Sequence, residues 1–183
     1  MGRRAGSPGR PGTIAPPIAR DLVVEIVRRG GAWRQLGAIA TLIRRAARVA
    51  AAAAPGRATI TAPCRRVVVI ALADDALMRT LNRDFRSQDR ATNVLSFPAA
   101  PEPHRPAGAS AHLGDVILGY ETLMREAEER GVKAADHLQH LVVHGVLHLL
   151  GYDHVVDREA QVMEALETAI LARFGIRDPY ADH

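Results

Sequence analysis

The stretch HGVLHLLGYDH, residues 144–154, places three histidines close together in an otherwise apolar run. Together with DHLQHLVV before it, this stretch predicts a helix over residues 136–150 that ends at Gly151. Leucine and valine lie on nearly every side of this helix, which is typical of a helix buried on all faces. An imidazole in such a helix costs free energy unless it is hydrogen-bonded or bound to a metal. The stretch therefore predicts a buried helix at the centre of the fold, with a function for its histidines.

The spacing of the histidines predicts a metal site. His140, His144 and His148 recur every four residues and so form one stripe along the helix. The outer two lie about 12 Å apart along the axis, so only an adjacent pair can share one ion. A left-handed turn at Gly151 would bring His154 beside His144 and His148. Three neutral imidazoles with one open position are typical of catalytic zinc, so we expect these three as ligands and His140 in a structural role.

The same spacing occurs in the metzincin proteases, HExxHxxGxxH, where a glutamate follows the first histidine and acts as the general base. In this chain Gly145 takes that position. The group that would activate water for peptide cleavage is therefore missing, although the ligand spacing remains. The sequence thus argues strongly against a peptidase.

The rest of the sequence predicts strands and helices in the order β, α, β, α, β, β, α, α, α. This order indicates a single α/β (α+β) domain with a small mixed sheet of about four strands packed with helices. ATITAP, residues 58–63, is either a separate strand or the start of the one that follows it. We predict strands over residues 21–26, 67–73, 93–97 and 112–119, and helices over 32–54, 76–86, 121–131, 136–150 and 157–174.

The first 20 residues differ in composition from the rest. MGRRAGSPGRPGTIAPPIAR has no acidic residue and is rich in glycine and proline, so we expect a disordered basic arm over residues 1–20 and one domain over 21–183. No apolar run reaches the roughly 18 residues that a membrane span needs. Cys64 is the one cysteine, which excludes an internal disulfide and a cysteine-rich zinc site and favours the reducing cytoplasm.

The composition also limits the class of partner. The formal net charge is +4, which favours an anionic partner such as nucleic acid, though weakly. Aromatic residues make up 4% of the chain, which argues against a base-stacking surface built from several exposed rings. Any contact with RNA would therefore depend mainly on arginine and on polar groups.

Three motifs resemble those of one family. HGVLHLLGYDH closely resembles the H-G-x-L-H-L-x-G-Y-D-H signature of the YbeY proteins, bacterial endoribonucleases of rRNA maturation. LNRDFRSQDRATNVLSFP, residues 81–98, is similar to the family's L-N-x-x-Y-R-x-x-D-x-x-T-D-V-L-S-F-P. LGDVILG, residues 113–119, is similar to its L-G-D-I-x-I segment. With GIRDPY near the end, the resemblance spans roughly residues 66–180.

The resemblance implies a fold, an activity and a set of site residues. The fold is a small mixed sheet with helices around a zinc-bearing cleft. The activity is that of a single-strand-specific, zinc-dependent endoribonuclease acting in 16S rRNA 3′-end maturation and ribosome quality control. Its partners would be the rRNA precursor and the ribosome, with a ribosomal protein or a GTPase in addition. One Zn²⁺ ion per chain would be held by His144, His148 and His154, and the family's functionally important arginine matches Arg86.

Two positions depart from the family pattern. Phe85 stands where Tyr is common, which removes a hydroxyl. Asn93 stands where Asp is common, and an amide can neither carry a charge nor act as a base. We expect Asn93 to have a structural role at the turn into its strand, a place that suits both residues.

The chemistry is open in several respects. Arg86 could clamp a phosphate through two parallel N–H groups. No general base is obvious, so either water or the RNA 2′-OH could attack the phosphate. Asp115 and Asp153 are candidates for orienting a ligand histidine through its second nitrogen, although each could simply cap a turn. Ser96 could contact substrate, although a hydroxyl bonded to the backbone is the more ordinary role.

Two other functions fit the same residues. The first is a zinc-containing ribosome-assembly binding factor with little intrinsic nuclease activity, which the missing base favours. Three protein ligands rather than four argue against a purely structural ion. The second is a metallohydrolase of another bond, of which Gly145 disfavours the peptide version.

Overall fold

The computed structural model describes residues 19–54, 65–100, 102, 104, 106 and 108–181. Within these residues the order of strands and helices is the predicted one. The strands are β1 (Leu22–Arg28), β2 (Arg66–Ala73), β3 (Val94–Pro98) and β4 (Ala111–Gly119). The helices are α1 (Ile39–Ala53), α2 (Asp75–Arg86), α3 (Tyr120–Glu129), α4 (Ala134–Leu149) and α5 (Asp157–Ala172).

The four strands form one mixed sheet in the order β1-β2-β4-β3. β1 and β4 run parallel to β2, whereas β3 runs antiparallel to β4 at the edge of the sheet. Val68, Ile70 and Leu72 of the central strand β2 are fully buried, as expected where helices cover a strand. The predicted small mixed sheet is therefore confirmed, and its edge strand β3 is free to border a cleft.

α4 is the central helix of the domain. It packs against α1, α3 and α5 and against the strands β3 and β4. Leu138, Val142 and Val146 are fully buried among these neighbours. A helix that is apolar on nearly every side needs neighbours on every side, and these elements supply them. The predicted burial of this helix is confirmed, and it places the histidine stripe between β3 and α5.

A smaller apolar cluster lies on the other face of the sheet. Met78 of α2 packs there against Ala73 and Leu95. Asp74 caps the helix by accepting a hydrogen bond of 2.9 Å from the backbone N–H of Leu77. The cap and the apolar contact fix the direction of α2, so that its last residue, Arg86, lies beside the outer edge of β3.

The helix predicted over residues 32–54 is wrong in its first part. Trp33–Leu36 form a short 3₁₀ turn, and α1 begins only at Ile39. Gly37 separates the two with a φ of 72°, a backbone conformation that glycine adopts without a steric penalty. The Trp33 indole N–H donates to the carbonyl of Ala73 at 3.0 Å, which holds the turn over the end of β2.

Three sequence predictions fall outside the described residues. They are the strand or strand start over residues 58–63, the position of Cys64, and all but the last two residues of the expected basic arm. Among the helices that the structure describes, none combines the length and the apolar character needed to cross a bilayer.

Candidate functional site

The three histidines of residues 144–154 lie together. α4 presents His144 and His148 one turn apart, with their Nε2 atoms 3.1 Å from each other. Gly151, with a φ of 87°, turns the chain back after the helix. The ring centre of His154 then lies 5.5 Å from that of His144 and 5.0 Å from that of His148. Nitrogen atoms of all three residues fall within 4.8 Å of one another, so this group could hold a metal ion.

The group fits a zinc ion in spacing and in protonation. Two nitrogens on a tetrahedral zinc ion, each about 2.0–2.1 Å from it, are about 3.3 Å apart. The 3.1 Å between Nε2 of His144 and Nε2 of His148 is close to that separation. Burial, followed by the neighbouring rings of His144 and His154, lowers the pKa of His148 to about 4. His148 is therefore neutral at neutral pH, the form in which imidazole binds metals.

Glu167 of α5 orients His144. Its Oε1 lies 2.8 Å from Nδ1 of His144. An ionised carboxylate only accepts hydrogen bonds, so Nδ1 must carry the proton and donate it. Nε2 of His144 then carries no proton. Its lone pair faces His148 and can bind a metal ion. Glu167 thus selects the tautomer of His144 that can bind an ion.

Glu167 remains ionised although it is completely buried. Burial by itself raises its pKa, but hydrogen bonds from His140, His144 and Tyr180 outweigh that effect and hold the pKa at about 2. Nε2 of His140 is 3.0 Å from Oε2, and the Tyr180 hydroxyl donates to the same oxygen at 2.5 Å. Burial and the Glu167 charge raise the pKa of Tyr180, which keeps its hydroxyl protonated. The expected structural role of His140 is therefore a hydrogen bond to this carboxylate.

Sequence reasoning missed Glu167, although a signal for it exists. The buried residues of α5 are Met163, Glu167, Ile170 and Leu171, which lie at helical spacing on one face. A glutamate on an otherwise apolar stripe is unexpected unless it has partners in the core. The partners here come from α4, so the two helices had to be placed side by side before the role of Glu167 could be seen.

A cleft of about 580 Å³ opens in front of the three histidines. Arg86, at the end of α2, lines the same cleft, so the four predicted site residues lie together. Arg79 and Arg83 of the same helix pair with Asp89 and Asp84. Arg86 has no such partner among the described residues. Arg86 is an exposed residue, so its side chain can reach an anion in the cleft.

The edge of the sheet forms the opposite wall of the cleft. Thr92 and Asn93 precede β3 there, and Val94, Ser96 and Pro98 of β3 itself continue the wall. The chain after α4 forms the remaining wall, through Gly151, Tyr152, Asp153, His154 and Val155.

A protein-family model described as Endoribonuclease YbeY matches residues 36–175. The chain belongs to the YbeY family. The Endoribonuclease YbeY of Rhodospirillum rubrum is 51% identical to it over 83% of this chain and 78% of its own length. The Endoribonuclease YbeY of Parvibaculum lavamentivorans is 45% identical over 97% of this chain and 96% of its own. The matched range contains the three histidines, Glu167 and Arg86.

A solved structure supports the fold. The solution structure of TM1509 from Thermotoga maritima superimposes with a TM-score of 0.52 at 23% sequence identity. The superposition covers 82% of this chain and 88% of that one. The mixed sheet and its surrounding helices are thus shared with a protein of distant sequence.

Asn93, where the YbeY family commonly has Asp, makes a specific hydrogen bond in this chain. Its side-chain N–H donates to Oε2 of Glu126 at 2.8 Å. Nε2 of His137 lies 2.8 Å from the same oxygen. An aspartate at position 93 would bring a second carboxylate to hydrogen-bonding distance of Glu126. Asn93 therefore makes a structural contact, although with α3 rather than within the turn, and it also lines the cleft.

Phe85, the other departure from the YbeY pattern, needs no hydroxyl partner. The side chain is 67% exposed and its ring packs edge-on against Phe97, with the ring centres 5.1 Å apart. At such an exposed position water can take the place of a tyrosine hydroxyl.

Neither aspartate considered as an orienting group contacts a ligand side chain. Asp115 lies 3.2 Å from Nε2 of His112 and is about half exposed. Asp153 accepts the backbone N–H of His154 at 2.7 Å and so caps the turn, which was the alternative role considered for it. Neither candidate therefore has the orienting contact, whereas Glu167 makes it to His144. Ser96 likewise bonds to the backbone, with its hydroxyl 3.3 Å from the carbonyl of Gly145.

Gly145 takes the place of the metzincin glutamate for a steric reason. A Cβ atom at this position would lie 2.6 Å from Cγ1 of Val116 and 3.2 Å from Oγ of Ser96. α4 therefore approaches β3 and β4 more closely than any residue larger than glycine allows. The close packing leaves no space for a glutamate at position 145. The fold therefore cannot carry the general base of the metzincins there.

Proposed function

We propose that this protein is a single-strand-specific, zinc-dependent endoribonuclease of the cytoplasm that acts in 16S rRNA 3′-end maturation and ribosome quality control. The observation that carries the proposal is the convergence on one cleft of three histidine nitrogens and an arginine that has no ion-pair partner among the described residues. Membership of a family whose members are named endoribonucleases supports RNA as the substrate. The rRNA precursor and the ribosome, with a ribosomal protein or a GTPase, are the partners that we propose on the same ground.

In this proposal His144, His148 and His154 hold one Zn²⁺ ion. When bound, zinc would supply Lewis-acid polarisation of a phosphoryl oxygen and activation of water. The protein prepares the site before any ion arrives, because Glu167 fixes the tautomer of His144 and burial keeps His148 neutral. No fourth protein ligand belongs to this group of described residues, which leaves a coordination position for substrate or water.

Arg86 positions the phosphate in this proposal. Its planar guanidinium can donate two parallel hydrogen bonds to non-bridging phosphate oxygens. Charge that develops on these oxygens in the transition state is stabilised by donors already in place. Since Arg86 has no carboxylate partner among the described residues, it can make these contacts without first breaking an ion pair.

Two routes of cleavage fit the cleft. Asp153 is the one carboxylate among the described residues that line it, and its oxygen already accepts the backbone N–H of His154. Attack by water and attack by the RNA 2′-OH therefore both remain compatible with the residues. The two differ in their products, because only attack by the 2′-OH leaves a 2′,3′-cyclic phosphate. Analysis of the cleaved ends distinguishes the two routes.

The proposal is tested with a labelled RNA that carries the 3′ end of precursor small-subunit rRNA. Wild type, His148→Ala and chelated wild type are purified identically and compared on this RNA and on its duplex. We expect only the metal-loaded wild type to cut, and only the single strand. Equal cutting by all three would overturn the proposal, because the activity would then be a contaminant or independent of the histidines. RNA binding without cutting by any of them would favour the assembly-factor alternative.

A further inference from the structure

We propose that Glu167 and Tyr180 form a positioning pair that fixes the ring of His144 and thereby sets the metal affinity of the site. This inference rests on the proposed metal-binding role of His144. It assigns a function to the C-terminal turn, which lies outside the cleft and is far in sequence from the histidine motif.

The carboxylate of Glu167 accepts three hydrogen bonds, two from α4 and one from the C-terminal turn. Oε1 is 2.8 Å from Nδ1 of His144, and Oε2 is 3.0 Å from Nε2 of His140 and 2.5 Å from the Tyr180 hydroxyl. Each contact holds the carboxylate in one orientation, and the bond to His144 then holds the ring of that histidine. A ligand ring that is already oriented loses less conformational freedom when it binds an ion.

Tyr180 reaches Glu167 through a turn that is pinned to α5. Oδ1 of Asp178 accepts hydrogen bonds from the Thr168 hydroxyl and from the backbone N–H of Tyr180, both at 3.0 Å. Thr168 is the neighbour of Glu167 in α5, so the turn is fixed next to the carboxylate. The ring of Tyr180 also packs edge-on against His140, with the centres 6.0 Å apart. The turn thus presents one hydroxyl at a defined place.

The chain contains a second contact of the same type that serves as an internal control. Glu126 lies 2.8 Å from Nε2 of His137, the same distance as between Glu167 and His144. His137 lies two turns before His144 and does not belong to either group of residues that could hold an ion. A change at Glu126 therefore alters a similar, partly buried histidine–glutamate pair without touching a proposed ligand.

His140, His144 and Glu167 form the other group whose atoms could hold an ion. Their atoms already bond to one another, with His140 and His144 donating and Glu167 accepting. An ion there would have to displace both protons and compete with the Tyr180 hydroxyl. The contacts therefore favour a positioning role for this group over a second metal site.

The test measures zinc affinity directly, by competition of the metal-free protein with a chromophoric chelator. The variants are Glu167→Gln and Tyr180→Phe, and the controls are Glu126→Gln and Tyr120→Phe. Tyr120→Phe removes a comparable hydroxyl, since Tyr120 donates to Gln35 at 2.9 Å in a different part of the core. The visible spectrum of the cobalt-loaded proteins gives a second readout of the ligand geometry.

We expect Glu167→Gln to weaken zinc binding about 10- to 100-fold, as for other partners of metal ligands. Tyr180→Phe should weaken it less, by about threefold to tenfold, since one hydrogen bond to the carboxylate is lost. Both should change the cobalt spectrum, and both controls should match wild type. Wild-type affinity in Glu167→Gln, or equal weakening in Glu126→Gln, would overturn the inference. If Glu167→Gln does not fold, wild-type affinity in Tyr180→Phe overturns it.

The zinc measurement separates this inference from the proposed function. Wild type that binds zinc tightly but cuts no RNA would contradict the endoribonuclease proposal and leave the positioning pair intact. Wild type that cuts RNA only with zinc, together with variants of unchanged affinity, would contradict the positioning pair alone. Wild type that binds no zinc would contradict both.

Discussion

Oε1 of Glu167 lies 2.8 Å from Nδ1 of His144 and joins the last helix to the central helix through a polar contact inside the core. Glu167 is fully buried, and the side chain of His144 is 22% exposed, so the pair spans from the interior to the cleft. Nδ1 of His144 is thus hydrogen-bonded inside the core, and Nε2 faces His148. Packing of α5 on α4 therefore also determines which nitrogen is available to an ion.

Arg86→Ala tests whether the arginine at the end of α2 acts on the substrate. We expect kcat/KM for RNA cleavage to fall about 100-fold, the usual loss when one donor to a developing charge is removed. Arg83→Ala is the matched control, because Arg83 lies in the same helix and is paired with Asp84. It should change kcat/KM by less than about threefold, the size of a surface-charge effect. Equal losses in both variants would show that the effect is general attraction of RNA.

Gly145→Ala tests the close approach of α4 to the sheet. Alanine is the better helix former by about 1 kcal/mol. Its Cβ would nevertheless lie 2.6 Å from Cγ1 of Val116, a buried side chain in β4. We expect the free energy of unfolding in urea to fall by about 1–3 kcal/mol, as for overpacked cores. Glu128→Ala, on the exposed face of α3, should change it by less than about 0.5 kcal/mol. A Gly145→Ala protein as stable as wild type would refute the steric account.

Glu126 should make stability depend on pH. Burial raises its pKa, but hydrogen bonds from His137 and Asn93 outweigh burial, and the net pKa lies below the usual value. The folded protein therefore favours the charged form more than the unfolded chain does. The stabilisation that ionised Glu126 contributes is complete above about pH 4.3, the pKa of glutamate in an unfolded chain. It is lost as the pH falls through the lower pKa that Glu126 has in the folded protein. Between about pH 5 and 3, wild type should lose more stability in urea than Glu126→Gln. Parallel pH profiles would contradict the prediction.

Asn93→Asp tests why this chain has an asparagine where the family commonly has an aspartate. The new carboxylate would replace a donor that lies 2.8 Å from Oε2 of Glu126. We expect a loss of about 1–2 kcal/mol in the free energy of unfolding at pH 7 from the lost hydrogen bond and the repulsion. In the Glu126→Gln background an amide faces the new carboxylate, so the loss should largely disappear. An equal loss in both backgrounds would mean that Asn93 acts through another contact.

The histidine site was predictable because its signals are local in sequence. Spacing of four residues places His144 and His148 on one face of any helix, and a glycine after the helix is a common way to turn the chain back. Glu167 was not predictable in the same way, since its role depends on a second helix packed beside the first. The contact of Tyr180 depends in addition on the turn that Asp178 fixes to α5.

Two differences between the sequence predictions and the structure have identifiable physical causes. Apolar spacing predicts one long first helix, but Gly37 adopts a positive φ and separates the 3₁₀ turn from α1. Asp115 is one of two candidates for orienting a ligand histidine, but in the structure it pairs with His112. The register of β2 and β4 shifts between Val67 and Val68, which pair with His112 and Gly114. The shift changes the alternation of side chains along β4 between His112 and Asp115. Neither a glycine's φ nor a strand bulge is visible in the spacing of apolar residues.

The central claim is that one zinc ion on the three histidines enables RNA cleavage. The most direct test is a zinc titration of metal-free protein, with the rate of cleavage of the single-stranded precursor RNA measured at each step. The rate should rise in proportion to zinc up to one equivalent per chain and then stay constant, and zinc should not restore His148→Ala. Full cleavage by the metal-free protein, or a rate in His148→Ala equal to that of wild type, would contradict the claim.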